Sequence, residues 1–97
     1  MRRLDDILEQ LRAMQADLYR RYPIRSIGVF GSYVRGEQRD DSDLDVLVEF
    51  GDAAGLFEYA GLQLELSDTL GMPVDVVNRA ALKPRIGQRI LAEVQML

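Results

Sequence analysis

Two aspartates, Asp43 and Asp45, open an apolar run, Val46-Leu47-Val48-Glu49-Phe50, and any fold for this chain has to place them. The run reads as a strand. Strand side chains alternate between faces, so both carboxylates project to one side, roughly 7 Å apart at two residues of rise. Unpaired burial of a carboxylate is expensive, and two on one face raise each other's pKa unless a cation compensates.

The rest of the chain supplies the helices. Leu4, Leu8, Leu11, Met14, Leu18 and Tyr22 recur at helical spacing, and Pro23 ends the helix because a residue before proline is pushed out of the α region. Ile24 to Phe30 reads as a first strand, followed by the turn Gly31-Ser32. Ser32 is expected to N-cap a short helix running through Arg35 and closed by Gly36. A polar loop leads to the second strand, Asp43 to Phe50. Leu56, Tyr59, Ala60, Gln63, Leu64, Leu66 and Leu70 form a mostly apolar helical face ended by Gly71 and Pro73. Pro73 to Asn78 reads as a third strand. Pro84 suits the first turn of a last helix bearing Ile86, Ile90, Val94 and Leu97. The order α-β-α-β-α-β-α predicts an α/β (α+β) fold, a small mixed sheet with helices packed on it. No repeat or linker divides the chain, so residues 1–97 are expected to form a single domain.

Composition narrows the chemistry. Histidine and cysteine are both absent, which removes Ser-His and Cys-His nucleophiles and ordinary zinc sites. The net charge of −4 argues against a large nucleic-acid footprint. Eleven of the twelve basic residues are arginine, with Lys83 alone, and arginine forks suit carboxylates and phosphates. No apolar stretch approaches the roughly 20 residues that a spanning helix needs, and Met1-Arg2-Arg3-Leu4 lacks the apolar core of a secretory signal. A cytoplasmic protein without membrane association is the expectation.

The chemistry-bearing residues cluster. A strand that ends in Gly31-Ser32 and enters a helix presents backbone N–H groups suited to phosphate, and it is equally readable as a plain capped turn. Asp43 and Asp45 can converge on cations about 3.5–4 Å apart, the separation used in two-metal phosphoryl chemistry. Magnesium accepts one or two carboxylates plus phosphate oxygens, and so matches them better than zinc. Asp75 sits between apolar residues on the third strand. It can face Asp43 and Asp45 if that strand neighbours the second, or it can be an edge charge that deters aggregation. Arg35 can stabilise a transferring phosphate or pair with an acid. Ser42 bonds loop backbone or orients Asp43, and Tyr33 and Val34 cover the core or a nucleotide edge.

Taken together, Gly31-Ser32-x-x-Arg35-Gly36, Ser42-Asp43-x-Asp45 and the later Asp75 resemble the polymerase-β nucleotidyltransferase superfamily. The short length and the tail Leu82-Lys83-Pro84…Ile90-Leu91 resemble its minimal nucleotidyltransferases, the antitoxin partners of HEPN toxins. The likeness covers nearly the whole chain, and no motif position is missing. It implies two magnesium ions held by Asp43, Asp45 and Asp75, with ATP as substrate. The triphosphate would lie on Gly31 and Ser32 near Ser42, with Ser32 and Arg35 stabilising its charge. Asp75 would also help deprotonate the acceptor. It further implies transfer of AMP to a tyrosine of a HEPN ribonuclease, which is thereby silenced. The chain is too short to carry a separate acceptor-binding domain, so the partner is expected to complete the site. Two other readings stand beside this one, an antitoxin that occludes its partner without catalysis and a nucleotidyltransferase acting on a small molecule.

Overall fold

The computed structural model describes residues 3–97; Met1 and Arg2, which enter the reading of the N-terminus as leaderless, lie outside the described residues. The elements are α1 (Leu4–Arg21), β1 (Ile24–Phe30), α2 (Ser32–Arg35), β2 (Leu44–Phe50), α3 (Leu56–Leu70), β3 (Val74–Asn78), a 3-10 turn (Arg79–Ala81), α4 (Pro84–Glu93) and β4 (Gln95–Met96). The sheet runs β3-β2-β1-β4. β1 lies antiparallel to β2 and to β4, whereas β2 and β3 are parallel with α3 as the crossover between them. The mixed sheet expected from the alternation of elements is the one observed.

Alternation along the strands divides the two faces. Leu44, Val46 and Val48 of β2 and Val74 and Val76 of β3 join Ile27 and Val29 in the core. Against them pack Ile7, Leu8, Leu11 and Leu18 of α1 and Leu62, Leu66 and Leu70 of α3. The intervening positions, Asp45 and Asp75 among them, point to the opposite face. The acids are therefore kept out of the core by the same period that buries their neighbours.

α3 also closes one sheet edge. Val74 and Val76 donate their outward N–H groups to Ser67 Oγ (3.2 Å) and Gln63 Oε1 (2.9 Å), and the Tyr59 hydroxyl donates to the Val76 carbonyl. Polar side chains on this helix thus satisfy strand groups that lack a neighbouring strand. The apolar face expected for α3 is only partly the buried one. Leu56 and Leu64 are 79% and 66% exposed, while Leu62, which the sequence reading omits, is fully buried. Leucines surround much of this helix, so spacing alone does not choose the inward side. Ile7 of α1, next to Leu8 on the inward stripe, is also fully buried and lies outside the spacing read from the sequence.

The last helix is shorter than its periodicity predicts. It ends at Glu93, because Val94 takes extended backbone (φ −61°, ψ 137°) and residues 95–96 pair with β1. An unpaired β1 edge offers backbone bonds that a final helical turn would forgo, and the Leu97 N–H to Ile27 carbonyl bond (3.0 Å) completes the strap. Gly28 admits it: a Cβ there would lie 2.6 Å from Met96 Sδ and 2.7 Å from Val94 Cγ2. Val94 and Leu97 consequently belong to the strap rather than to α4.

Candidate active site

Asp45 is the second residue of β2, and the parallel register sets it directly beside Asp75 of β3. Residues so paired share a face, with strands about 5 Å apart. Asp43 lies just before β2 rather than within it, and is exposed, as is Asp75; Asp45 is half-buried. On its other side Asp45 pairs with Phe30, the last residue of β1, so the turn at Gly31 comes down onto its carboxylate. Asp75 is thus beside Asp45 and not an isolated edge charge.

Burial pushes the Asp45 carboxyl up to about 6, and the charges of Asp75 and Asp43 push it the same way. Arg35 opposes that shift, and Glu93 adds to it. Negative potential therefore accumulates where β1, β2 and β3 meet. Among the described residues, however, no three acidic side chains are gathered closely enough to make a ready cation cage. Oxygen donors of this hardness still suit magnesium, which needs only one or two carboxylates when substrate phosphates complete its shell. The donor set fits the ion without a closed protein cage.

The turn differs in detail from expectation. Gly31, not Ser32, holds the N-cap position of α2, with φ 85° and ψ −153°, and Ser32 is the first helical residue. Only glycine adopts that backbone without strain. Gly36 closes the helix in left-handed conformation as expected. Tyr33 is buried in the core. Ser42 is tied into its loop, its Oγ accepting the Arg39 N–H at 2.8 Å, which is the structural role weighed for it.

Arg35 pairs with neither Asp43 nor Asp45. Its Nη1 donates to both oxygens of Glu93 at 3.0 and 3.1 Å, and its Nε donates to Glu37 at 3.4 Å. Glu93 also accepts the Gly31 N–H at 2.5 Å. The sequence reading passed over Glu93, fifty-eight residues from Arg35 on a helix without a motif, and only its charge beside the apolar Leu91 and Val94 hinted at it.

Asp75 also borders a cleft of about 570 Å³ between β3 and the start of α3. Its walls include Phe50, Tyr59, Val76 and Leu56, with Asp75 as its acidic member. Phe50 and Tyr59 meet ring to ring at 6.0 Å between centroids.

Asp45 and Asp75 paired on a mixed sheet, with Asp43 leading in and a strand-to-helix glycine turn beside them, form the layout of a nucleotide-transferring fold. The chain belongs to the nucleotidyltransferase domain family, whose sequence profile matches residues 5–97, and it is a nucleotidyltransferase. It is 43% identical over 91 residues to the protein adenylyltransferase MntA of Thermococcus cleftensis, covering 94% of this chain and 92% of that protein. A solved structure described as a minimal nucleotidyltransferase superposes with a TM-score of 0.77 at 41% identity, covering 93% of this chain and 95% of the other. The fold also matches, at 20% identity and a TM-score of 0.67, a chain in the complex of the tri-AMPylated Shewanella oneidensis HEPN toxin with its MNT antitoxin, covering 93% and 70% of the two chains. No helix among the described residues is long and apolar enough to cross a membrane.

Proposed function

We propose that this chain, as a single nucleotidyltransferase domain, transfers AMP from ATP to a tyrosine hydroxyl of a HEPN-family ribonuclease, and so serves as the antitoxin of a cytoplasmic toxin–antitoxin pair. The observation that carries this reading is the Asp45–Asp75 pair across parallel strands, with Asp43 leading in and Gly31 packed on Asp45. The name of the Thermococcus relative and the AMPylated HEPN toxin in the Shewanella complex support the acceptor class.

The acceptor oxygen would attack the α-phosphorus in line. The bond from that phosphorus to the bridging oxygen of the β-phosphate breaks, and pyrophosphate leaves. Magnesium held by Asp43, Asp45 and Asp75 would neutralise phosphate charge and polarise the α-phosphate. Asp75, which borders the cleft, would help take the acceptor's proton. The hydroxyl of Ser32 and the guanidinium of Arg35 would stabilise charge on the phosphates. The apolar cleft beside Asp75 offers an approach for an aromatic acceptor. Ser42 serves this arrangement indirectly, by shaping the loop that leads to Asp43.

The test uses the chain with its HEPN partner, magnesium and ATP labelled at the α-phosphate. Label should move to the partner, and Asp75→Asn should slow that transfer by about a hundredfold or more, the scale of losing a proton acceptor. The variant should still bind the partner. Neutralisation of the partner without label would replace transfer by occlusion, and transfer by Asp75→Asn at the native rate would remove Asp75 from the chemistry.

A further inference from the structure

We propose that Glu93 is a positioning residue for nucleotidyl transfer, holding the Gly31 turn in place and aiming Arg35 at the phosphates. This rests on the reading that the turn and Arg35 receive the triphosphate. Gly31 is buried, so its N–H requires a partner from within the protein. Glu93 supplies it at 2.5 Å, and with the same carboxylate grips Arg35 Nη1 at 3.0 and 3.1 Å. One side chain therefore fixes both the backbone that enters α2 and the cation that leaves it.

Glu93 can do this because its own backbone is anchored. It ends α4, and the next residues run directly into β4, whose Gln95 and Met96 pair with Val29 and Gly28 of β1. The strap thus ties Glu93 to the strand that ends at Gly31. Glu93 is also the better buried partner, 24% exposed against 46% for Arg35, so the carboxylate holds the guanidinium rather than the reverse.

The test measures binding of ATP with magnesium to the full chain by calorimetry, alongside thermal unfolding. Glu93→Ala should weaken binding about tenfold to a hundredfold, as expected when a binding group shifts by about an ångström. Glu93→Gln, whose amide oxygen can accept from both donors, should stay within about threefold of the native chain. Glu93→Asp keeps the charge but withdraws it by one methylene, and should weaken binding several-fold even if Glu93→Ala does not fold. In an Arg35→Ala background the effect of the Glu93 substitutions should shrink, because part of it runs through Arg35. A native affinity in Glu93→Ala or Glu93→Asp overturns the proposal, and a tighter one makes Glu93 a competitor of the phosphates. Failure of the unaltered chain to bind ATP would instead overturn the phosphate reading itself.

Discussion

Asp45→Asn should abolish nucleotidyl transfer and, at pH 7.5, make the protein more stable. The two effects have one cause. Asp45 is half-buried, and burial together with the nearby charges of Asp75 and Asp43 pushes its carboxyl up to about 6 from the ordinary 3.8. Between pH 3.8 and about 6 the folded protein therefore holds a proton on Asp45 that the unfolded chain has already released. Its contribution favours folding in full below pH 3.8 and is lost as pH rises through about 6. At pH 7.5 the native carboxylate is charged, and Asn removes both the cost of half-burying that charge and the repulsion from Asp75 and Asp43. A shift of this size allows about 3 kcal/mol, which solvent screening around a half-exposed group reduces to about 1–2 kcal/mol.

Urea unfolding at pH 7.5 should show the gain, and at pH 3.5 the two proteins should converge. Asp43→Asn should give little gain, because Asp43 is exposed. Both substitutions should cut transfer by about a thousandfold or more, the scale of losing a group that acts on the transferring phosphoryl. Lower stability of Asp45→Asn at pH 7.5 would show that burial and repulsion of this charge do not govern this corner.

Gly31→Ala should be the most damaging small substitution in the site. The backbone there has φ 85° and ψ −153°, a region that costs a side-chain-bearing residue about 1–3 kcal/mol. The added Cβ would also stand 2.1 Å from Asp45 Oδ2 and 3.0 Å from its Cγ, so Asp45 must swing aside. A stability loss of about 2–4 kcal/mol is expected, together with loss of transfer. Gly36→Ala provides the comparison. Its φ of 73° is also left-handed, but no atom lies within 4 Å of the added Cβ, so about 1 kcal/mol is expected there. Equal losses at the two positions, measured by denaturant unfolding, would show that contact with Asp45 adds nothing.

Much of the architecture was legible before any coordinates. β1 has the expected bounds, α2 begins one residue earlier than expected, and β2 loses only Asp43 at its start. These segments carry strong punctuation, with Pro23, Gly31, Gly36 and Gly51 at their ends. The pairing of Asp75 with Asp45 was conditional on β3 lying next to β2, and the crossover through α3 puts it there. The β4 strap was not legible. Val94 and Leu97 continue the spacing of Ile86 and Ile90, and two residues of strand carry too little pattern to compete with it. Glu93 escaped for a different reason. Its partners, Gly31 and Arg35, are joined to it only by the folded path of the chain.

Local rules determined which residues lie on one face of a strand and where the first three helices stop, because alternation, glycine and proline act within a few residues of chain. They were enough to put Asp45 on the face opposite the core and to mark Asp75 as a charge in need of a reason. Tertiary structure decided how strands order themselves, which side of α3 turns inward, and which acid Arg35 grips. Those outcomes depend on pairing free backbone edges and satisfying a buried amide, requirements that exist only once distant segments meet.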